Sequence, residues 1–585
     1  YKFEYMRIQD DAVVNATTDP IMEPGITFIM KSLTVEGGGI MHGTHLTMLM
    51  ENITVDGGGK ISADGLGYNF FHRHETHGHL SLHGRINPGL PDEMYGMGCG
   101  AGHGGSGGKQ SRDNARAGFA YGDIYEPDRI GSAGGSGISG KSGGTGGGVI
   151  WFNVTGVIDV DGVISADGGN AEKNSGSGGG SGGSIWMYCN LIKGFGKITA
   201  NGGDGSNGTS FGSGGAGGRI ALYYNYNETM SSFRYQAYGG KAGDSSVSEN
   251  GGGGTVFIYS MTQNHTTLII DNGGLAPRNK FNIINNYQNL SFDSSRTWIL
   301  PESGLHLFAK GRFTFSFDEL QIYGRAHLAI LPDEVDTAVD LFFLYMIGDR
   351  TGTVHLGNAQ VFDLERDEID LPFSVRVYRG GFLGLGPFTV VHGVSIWLHG
   401  TLAHVENITL HHNGLLSLED GGRTEHLPSS SYEFQYVRIQ DNSTISAITD
   451  PVLQPGIFFK AHNSIFIEGG GTFLGTNITV LAVDIIIDDG GSLHADALGY
   501  RTEDTQTGSV NIGLGVTSSK GSSGAGHGGT SGLGAGTSLT GQPYGHLYQP
   551  YAYGSSGGGG RGIGGNGGGM LWLNVSNVLE IDGEI

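Results

Sequence analysis

Short stretches of alternating apolar and polar residues recur along the chain, and each follows a cluster of glycines. In the stretch 149–155, Ile150, Phe152 and Val154 occupy every second position, which predicts a β-strand with one buried face. Three comparable stretches follow at intervals of about 35 residues. The stretch at 149–155 and the one after it each lead into A-(D/N)-G-G. The pattern therefore predicts a series of short strands separated by glycine-rich turns.

Residues 280–432 contain few glycine clusters but many further strand patterns, and only 335–345 has a helical alternative. Many short strands with Gly, Asn and Asp turns predict an all-β fold, either a β-solenoid or a chain of small β-sandwiches. The A-(D/N)-G-G turns recur as stacked coils would require. This favours a parallel β-solenoid, or β-helix, built from long tandem repeats, with ordered glycine-rich segments packed on it.

The chain also repeats itself over a long period. Residues 3–25 match 434–456 and residues 146–164 match 567–585, so the offset falls from 431 to 421 residues. We interpret the chain as a section of a longer polypeptide. The predicted organisation is repeat unit one at 1–432, with a glycine-rich tract at 94–148, glycine-punctuated coils at 149–275 and a glycine-poor β region at 280–432, followed by the first third of repeat unit two at 433–585, with its glycine-rich tract at 513–569.

Glycine supplies 111 of the 585 residues and proline only 15, which excludes collagen and long helices. The glycine clusters are either flexible spacers or closely packed backbone. Residues retained in both copies of the tract favour close packing, and the two histidines among them are expected to bind backbone carbonyls rather than act as bases. The retained residues are His103 and His527, Tyr121 and Tyr544, and Pro127 and Pro550.

The formal net charge is −23, from 33 basic and 56 acidic residues. This excludes nucleic acid as a partner, because phosphate is bound through a basic face. No run of 18 apolar residues is present, so no membrane span is predicted in this section. An acidic surface is compatible with Ca²⁺, but no motif supports a calcium site. We predict no cofactor and no metal site.

Asn-x-Ser/Thr triplets are more frequent than chance, which predicts a secreted eukaryotic glycoprotein at an extracellular, cell or ciliary surface. These sequons predict N-linked glycans at eleven sites, namely Asn15, Asn52, Asn153, Asn207, Asn227, Asn264, Asn289, Asn407, Asn442, Asn477 and Asn574.

Two further pairs of residues leave alternatives open. Cys99 and Cys189 either form one disulfide or remain separate thiols. Trp151 and Trp572 each precede a sequon asparagine by two residues and should share its outward face. Each tryptophan either stacks on the glycan or packs under a neighbouring loop.

A combination of motifs occurs around the glycine-rich tracts, over residues 94–170 and 518–585. It runs GAGHGG, YG-x-x-Y-x-P, GSxGG, and then GGG followed by an apolar strand; the first copy continues into DG-x-I-x-ADG. This combination resembles very large secreted or surface glycine-rich proteins of eukaryotes, of the β-helix or pectin-lyase-like type. The resemblance implies an extracellular β-helical glycoprotein and implies no activity.

A catalytic function has weak support from the sequence. Asp159 and Asp161 would share a strand face, but Asp161 precedes a glycine, and Asp-Gly is a turn signal. The histidines between His72 and His83 are dense, but the second repeat has none at that place. We therefore predict that the protein is not an enzyme.

The tandem repeats, the sequons and the lack of catalytic geometry predict a structural glycoprotein. Copies of the chain would associate with one another into a filament or surface fibre, for example a mastigoneme-like hair or a matrix fibre. Two alternatives stay open. One is a β-helix carbohydrate-active enzyme, a polysaccharide lyase or hydrolase, and the other is a surface adhesin or carbohydrate-binding module.

Overall fold

β-Strands form the regular secondary structure, and no α-helix occurs in the residues described. The fold is therefore all-β, as predicted. Residues 337–345, from the segment with a helical alternative, belong to a strand. The computed structural model describes residues 1–20, 23, 25–69, 98–111, 117–137, 140–228, 234–276, 296–298, 311–330, 337–358, 360–364, 366–454, 456–500, 503–505, 508–510, 523–533, 540–557 and 564–585.

The chain divides into two compact units, Tyr1–His355 and Leu356–Ile585. The repeat boundary at 432/433 concerns sequence similarity and stays a prediction. The strands that begin in the first unit are β1 (Tyr5–Ile8), β2 (Val13–Ala16), β3 (Ile26–Val35), β4 (Ile40–Gly43), β5 (His45–Val55), β6 (Lys60–Ser62), β7 (Val149–Val154), β8 (Val157–Val160), β9 (Val163–Ser165), β10 (Ser184–Lys193), β11 (Lys197–Thr199), β12 (Arg219–Asn227), β13 (Arg234–Gln236), β14 (Thr255–Ser260), β15 (His265–Asp271), β16 (Thr297–Trp298), β17 (Gly311–Tyr323), β18 (His327–Ile330), β19 (Thr337–Gly348) and β20 (Thr353–Leu356).

The strands of the second unit are β21 (Val361–Leu364), β22 (Glu368–Asp370), β23 (Ser374–Val377), β24 (Phe382–Gly384), β25 (Phe388–His392), β26 (Ser395–Leu398), β27 (Thr401–Ala403), β28 (Asn407–His411), β29 (Leu415–Leu418), β30 (Arg423–Thr424), β31 (Ser431–Phe434), β32 (Tyr436–Ile439), β33 (Thr444–Ala447), β34 (Ile457–Ala461), β35 (Ser464–Ile467), β36 (Thr472–Gly475), β37 (Asn477–Ile487), β38 (Ser492–His494), β39 (Glu503–Thr505), β40 (Gly508–Val510) and β41 (Met570–Ile581).

Parallel pairing dominates the first unit. One ladder runs β1–β3–β5–β7–β10–β12–β14, and β8 continues the pairing of β7 with β5 and β10. A second ladder runs β2–β4–β6–β9–β11–β13. β15 pairs antiparallel with β14, and then parallel with β17, which pairs with β19.

Three parallel ladders run through the second unit. They are β21–β24–β27–β30–β31–β34–β37–β41, β22–β25–β28–β32–β35–β37, and β23–β26–β29–β33–β36–β38. From β21 to β29, consecutive strands of the chain enter the three ladders in turn, and this order occurs three times.

The registers stack equivalent side chains from successive strands. In the first ladder Ile150 pairs with Ile185, Ile185 with Ile220, and Ile220 with Val256, and all four are buried. In β7 the intervening residues Trp151 and Asn153 are half-buried and exposed, respectively, so the predicted alternation over 150–154 is confirmed. Full burial of such an aliphatic side chain contributes about 1.5–3 kcal/mol.

The A-(D/N)-G-G turns are joined by side chains that accept a hydrogen bond from the next turn. Asp64 Oδ1 accepts the N–H of Asp167 (2.8 Å), Asp167 Oδ1 accepts that of Asn201 (2.6 Å), and Asn201 Oδ1 accepts that of Tyr238 (2.9 Å). Burial, together with the nearby charge of Asp64, raises the pKa of Asp167 to about 6. Asp or Asn therefore recurs at this position because its side-chain oxygen replaces a backbone acceptor.

The glycine segments are joined by hydrogen bonds in three directions. In 178–183, the N–H groups of the first and fourth residues donate to segment 132–135, the second and fifth to 213–216, and the third and sixth to 166–169, at 2.7–3.0 Å. A strand alternates with a period of two, whereas a period of three matches the polyproline II conformation.

A second segment, 212–218, has the same period of three. Its donors reach 200–206, 98–101 and 249–252 in turn. The resulting bundle of parallel and antiparallel segments is here named the glycine lattice. It comprises residues 98–108, 131–137, 144–147, 166–169, 178–183, 200–206, 212–218 and 249–254.

A side chain larger than hydrogen is sterically excluded at the central positions of the glycine lattice. A Cβ on Gly178 would lie 1.8 Å from the Cys99 oxygen, and one on Gly180 would lie 1.9 Å from the Thr145 oxygen. These neighbours are backbone atoms and cannot rotate away. Of the two alternatives for the glycine clusters, close backbone packing describes these segments.

We predict that Gly180→Ala destabilises the first unit strongly, because the methyl group would overlap the Thr145 oxygen. Overpacking of this kind costs about 1–3 kcal/mol or more. The matched control is Gly57→Ala, because no atom lies within 4 Å of a Cβ at Gly57. Thermal unfolding of both variants is the measurement, and equal melting temperatures for the two would contradict the lattice.

Candidate functional site

His103 and Tyr121 hold the glycine lattice to its neighbouring loop. His103 is fully buried, and its Nδ1 donates to the Gly182 oxygen at 2.7 Å. The imidazole stacks on Tyr121 with 4.5 Å between ring centroids. The backbone N–H of Tyr121 donates to the His103 oxygen (2.7 Å), and its hydroxyl donates to the Ile130 oxygen (2.6 Å). The pair therefore binds backbone carbonyls, as expected from the sequence.

The electrostatic surroundings keep His103 neutral. Burial, together with the positive charge of Arg219, lowers the pKa of His103 to about 3. Arg219 is itself fully buried, with Nε donating to the Tyr121 oxygen at 2.9 Å. A buried neutral imidazole between backbone groups has a structural role, because a general base needs access to a substrate proton.

The second copy of the tract repeats this arrangement within the second unit. His527 stacks on Tyr544 at 4.6 Å, and the Tyr544 N–H donates to the His527 oxygen at 2.6 Å. The Tyr544 hydroxyl donates to the Tyr553 oxygen and accepts from Ser555 Oγ at 2.9 Å. In both copies the glycine after the tyrosine has a positive φ, +83° at Gly122 and +92° at Gly545. The retained residues therefore form the same local structure twice.

The two copies differ in burial. His103, within the glycine lattice, and Tyr121, beside it, are buried, whereas His527 and Tyr544 are half-buried. Pro127 is buried and Pro550 is exposed. In the part of the second unit that the structure describes, no segment packs on this tract as 178–183 packs on the first.

The predicted glycosylation sites lie mostly at the surface. The sequon at Asn289 falls outside the described residues, and Asn407 and Asn477 are half-buried. The remaining eight asparagines are exposed, and they are Asn15, Asn52, Asn153, Asn207, Asn227, Asn264, Asn442 and Asn574.

The tryptophans next to two sequons have different neighbours. Trp151 is half-buried and stacks on Trp186 of the adjacent strand, with 5.2 Å between ring centroids. Trp572 is 66% exposed. Asn153 and Asn574 are exposed beside them, so an outward face is shared in each copy. Stacking on a glycan stays a prediction for both tryptophans.

The cysteines and the candidate acids have structural surroundings. Cys99 and Cys189 are both buried and form no disulfide, which settles the alternative left open by the sequence. Burial raises the pKa of Cys189 to about 12, so its thiol is unreactive at neutral pH. Asp161 Oδ1 accepts the N–H of Phe195 at 2.9 Å, as a turn residue does, and Asp159 forms an ion pair with Lys193.

One group of side chains in the described part of the chain could hold a metal ion. It consists of His392, His411 and His412, whose ligand atoms lie within 4.8 Å of one another. This cluster differs from the sequence-based prediction of no metal site. It forms no recognisable sequence motif, because 18 residues lie between His392 and His411. The histidines between His72 and His83 lie outside the described residues.

An open acidic groove lies in the second unit. It has a volume of about 1170 Å³ and is lined by carboxylates that include Asp363, Asp367 and Glu368. His404 lies at this groove with Nε2 3.8 Å from Asp363 Oδ1. Rows of acids and aromatics around one groove would favour the two carbohydrate-directed alternatives, and the described lining of this groove has the acids without a Phe, Tyr or Trp.

Comparison with known proteins finds no matching family model, no matching curated protein and no matching solved structure. The resemblance to large glycine-rich β-helix glycoproteins therefore stays an expectation from motifs. No helix in the described residues has the length and apolar character to cross a bilayer.

We predict a pH dependence from His103. Between pH 6.5 and about 3 the unfolded chain binds a proton at this residue while the folded chain does not, so stability falls as pH falls through this range. In His103→Gln the fall should be smaller, as measured by urea unfolding at pH 7.5 and 4.5. The control is Tyr121→Phe, which removes a hydrogen bond and should cost the same at both pH values. Identical pH dependence in His103→Gln and the parent would contradict the assignment.

We predict that the eight exposed sequon asparagines carry glycans in native material, because their side chains are accessible for modification. Enzymatic release of the glycans in ¹⁸O-labelled water, followed by peptide mass spectrometry, measures each site. Asn190 is an exposed asparagine outside any sequon and serves as the internal control. Unmodified asparagine at all eight positions would refute secretion as a glycoprotein.

Proposed function

We propose that the protein is an extracellular structural glycoprotein that assembles into a filament or surface fibre by stacking β-solenoid units. The parallel ladders support the solenoid, because many successive strands pair at short register steps, for example 19 residues (Phe388 with Asn407) and 36 residues (Arg219 with Thr255). Such coils bury apolar columns against their neighbours, so a terminal coil exposes the face that the next coil would cover.

The stacking of successive turns in the ladders carries this proposal, and β41 is one such turn. β41 pairs with β37 as β7 and β8 pair with β5. In the first copy, the following turn places β10 on β7 and β8. A turn of equivalent sequence, from the same polypeptide or from a second copy, would pair with β41 in the same way.

Residues of β41 are also less buried than their first-copy equivalents. Ile158 and Val160 are completely buried in the first copy. Their equivalents on β41, Leu579 and Ile581, are 46% and 44% exposed. The end face of this coil is thus an apolar surface of the kind that is covered inside the stack.

The second copy of the glycine-rich tract is also less covered than the first. Its His527 and Tyr544 are half-buried, whereas the equivalent residues of the first copy are buried. A glycine-rich segment like 178–183 would complete the backbone hydrogen bonds there. Strand pairing at β41 and glycine-segment packing on this tract would therefore form together when a turn of equivalent sequence stacks on them.

The chemistry of the surface is compatible with an exposed fibre. The eight exposed sequon asparagines belong to both units. The net charge of −23 opposes association, so assembly should strengthen as salt screens the repulsion.

We predict that the 585-residue chain forms rods whose length grows with concentration and salt, and that Leu579→Lys weakens this assembly at least about tenfold. The reason is the cost of burying a charge in an apolar contact. The matched control is Leu453→Lys, since Leu453 is 83% exposed at a turn. Sedimentation velocity and negative-stain microscopy measure the outcome. Monodisperse particles at every concentration, or equal assembly of Leu579→Lys and the parent, would contradict the proposal.

A further inference from the structure

Three histidines meet where two neighbouring strands of the second unit end. β25 ends at His392 and β28 ends at His411, and the parallel register pairs these two residues directly. His412 follows in the turn. The ring centroid of His392 lies 4.2 Å from that of His411 and 4.6 Å from that of His412. One turn of the chain therefore places its imidazoles beside that of the preceding turn.

The nitrogen atoms are near the spacing that a metal ion needs. His411 Nδ1 and His412 Nδ1 are 2.8 Å apart, close enough that one proton is shared between them. A tetrahedral ion with metal–nitrogen bonds of about 2.0–2.1 Å would hold two nitrogens about 3.3 Å apart. Small rotations of exposed or half-buried rings reach this spacing, and an ion would take the place of the shared proton.

The backbone holds this turn in an uncommon conformation. His412 and Asn413 have φ values of +53° and +66°, in the left-handed region that non-glycine residues seldom adopt. The N–H of Asn413 donates to the Asp441 oxygen (3.0 Å), and the N–H of Gly393 donates to the His411 oxygen (3.1 Å). These bonds direct His412 back toward His411 instead of along the next strand.

Carboxylates flank the three imidazoles on both sides. Asp441 Oδ2 lies 3.5 Å from His412 Nδ1, and Asp370 Oδ2 lies 4.0 Å from His392 Nδ1. A carboxylate beside a ligating histidine orients the ring and favours a bound cation. Asp370 ends β22, which pairs with β25, and Asp441 lies in the turn after β32, which pairs with β28. Four successive strands of one ladder therefore contribute to the cluster.

We propose that His392, His411 and His412 form a binding site for a divalent transition-metal ion of the Zn²⁺ class. Three imidazoles are the donors that Zn²⁺, Cu²⁺ and Ni²⁺ prefer, whereas Mg²⁺ and Ca²⁺ require oxygen ligands. The fourth position faces solvent, because His412 is exposed, and it would hold water or an external ligand. The ion links the ends of β25 and β28. This proposal is independent of filament assembly.

The test compares Zn²⁺ and Co²⁺ binding by the chelator-treated full chain and its variants. The chain has 22 histidines, so the total number of bound ions does not identify this site. The loss of one equivalent in a variant does identify it. The combined variant His392→Asn, His411→Asn, His412→Asn should lose one Zn²⁺ equivalent in calorimetry and the visible absorption of tetrahedral Co²⁺. The control His426→Asn changes an exposed histidine outside the cluster and should keep both signals.

The single variant His412→Asn keeps the test informative if the combined variant does not fold. Asparagine tolerates a positive φ, so the turn should persist, and circular dichroism should match that of the parent chain. The Zn²⁺ affinity of this site should fall at least about tenfold, because even the loss of a residue that only supports a ligand lowers metal affinity by about that factor. The proposal is overturned if the parent chain and the folded His412→Asn variant bind Zn²⁺ with the same stoichiometry and affinity.

Discussion

Backbone hydrogen bonding between glycine segments is the constraint on which the first unit depends. Residues 178–183 donate to three neighbouring segments in turn, and the distances leave no space for a Cβ at Gly178 or Gly180. Each donor is satisfied by a neighbouring segment, so buried backbone needs neither strand nor helix pairing. Segments of the glycine lattice directly precede β7, β10, β12 and β14 in the chain. They extend the stacking of those strands, with hydrogen bonds that repeat every three residues.

This constraint links the fold to the proposed assembly. A lattice held by backbone groups is completed only when each segment has neighbours on three sides. The first copy of the tract meets this condition, and His103 within it and Tyr121 beside it are buried, while His527 and Tyr544 of the second copy stay half-buried. In the proposed assembly, a turn of equivalent sequence would cover both the second tract and β41.

Much of the strand pattern could be predicted from the sequence, because alternation in β7 and the A-(D/N)-G-G turns are local signals. The internal repeat also identified His103 and Tyr121 with their second-copy equivalents, His527 and Tyr544, since retention in two copies marks a shared local structure. The three-direction glycine lattice could not be predicted, because its hydrogen bonds join segments far apart in the chain. The cluster of His392 with His411 was missed for a related reason, since their contact depends on the register between β25 and β28.

Amide hydrogen exchange of Gly178 to Gly183 tests the glycine lattice most directly. Every one of these N–H groups donates to another segment, so the account predicts exchange at least about a thousandfold slower than in an unstructured peptide, with protection throughout all six residues. Alternating protection would indicate ordinary strand pairing. Exchange at the rate of an unstructured chain would contradict the account, because it would mean that the glycine clusters are spacers.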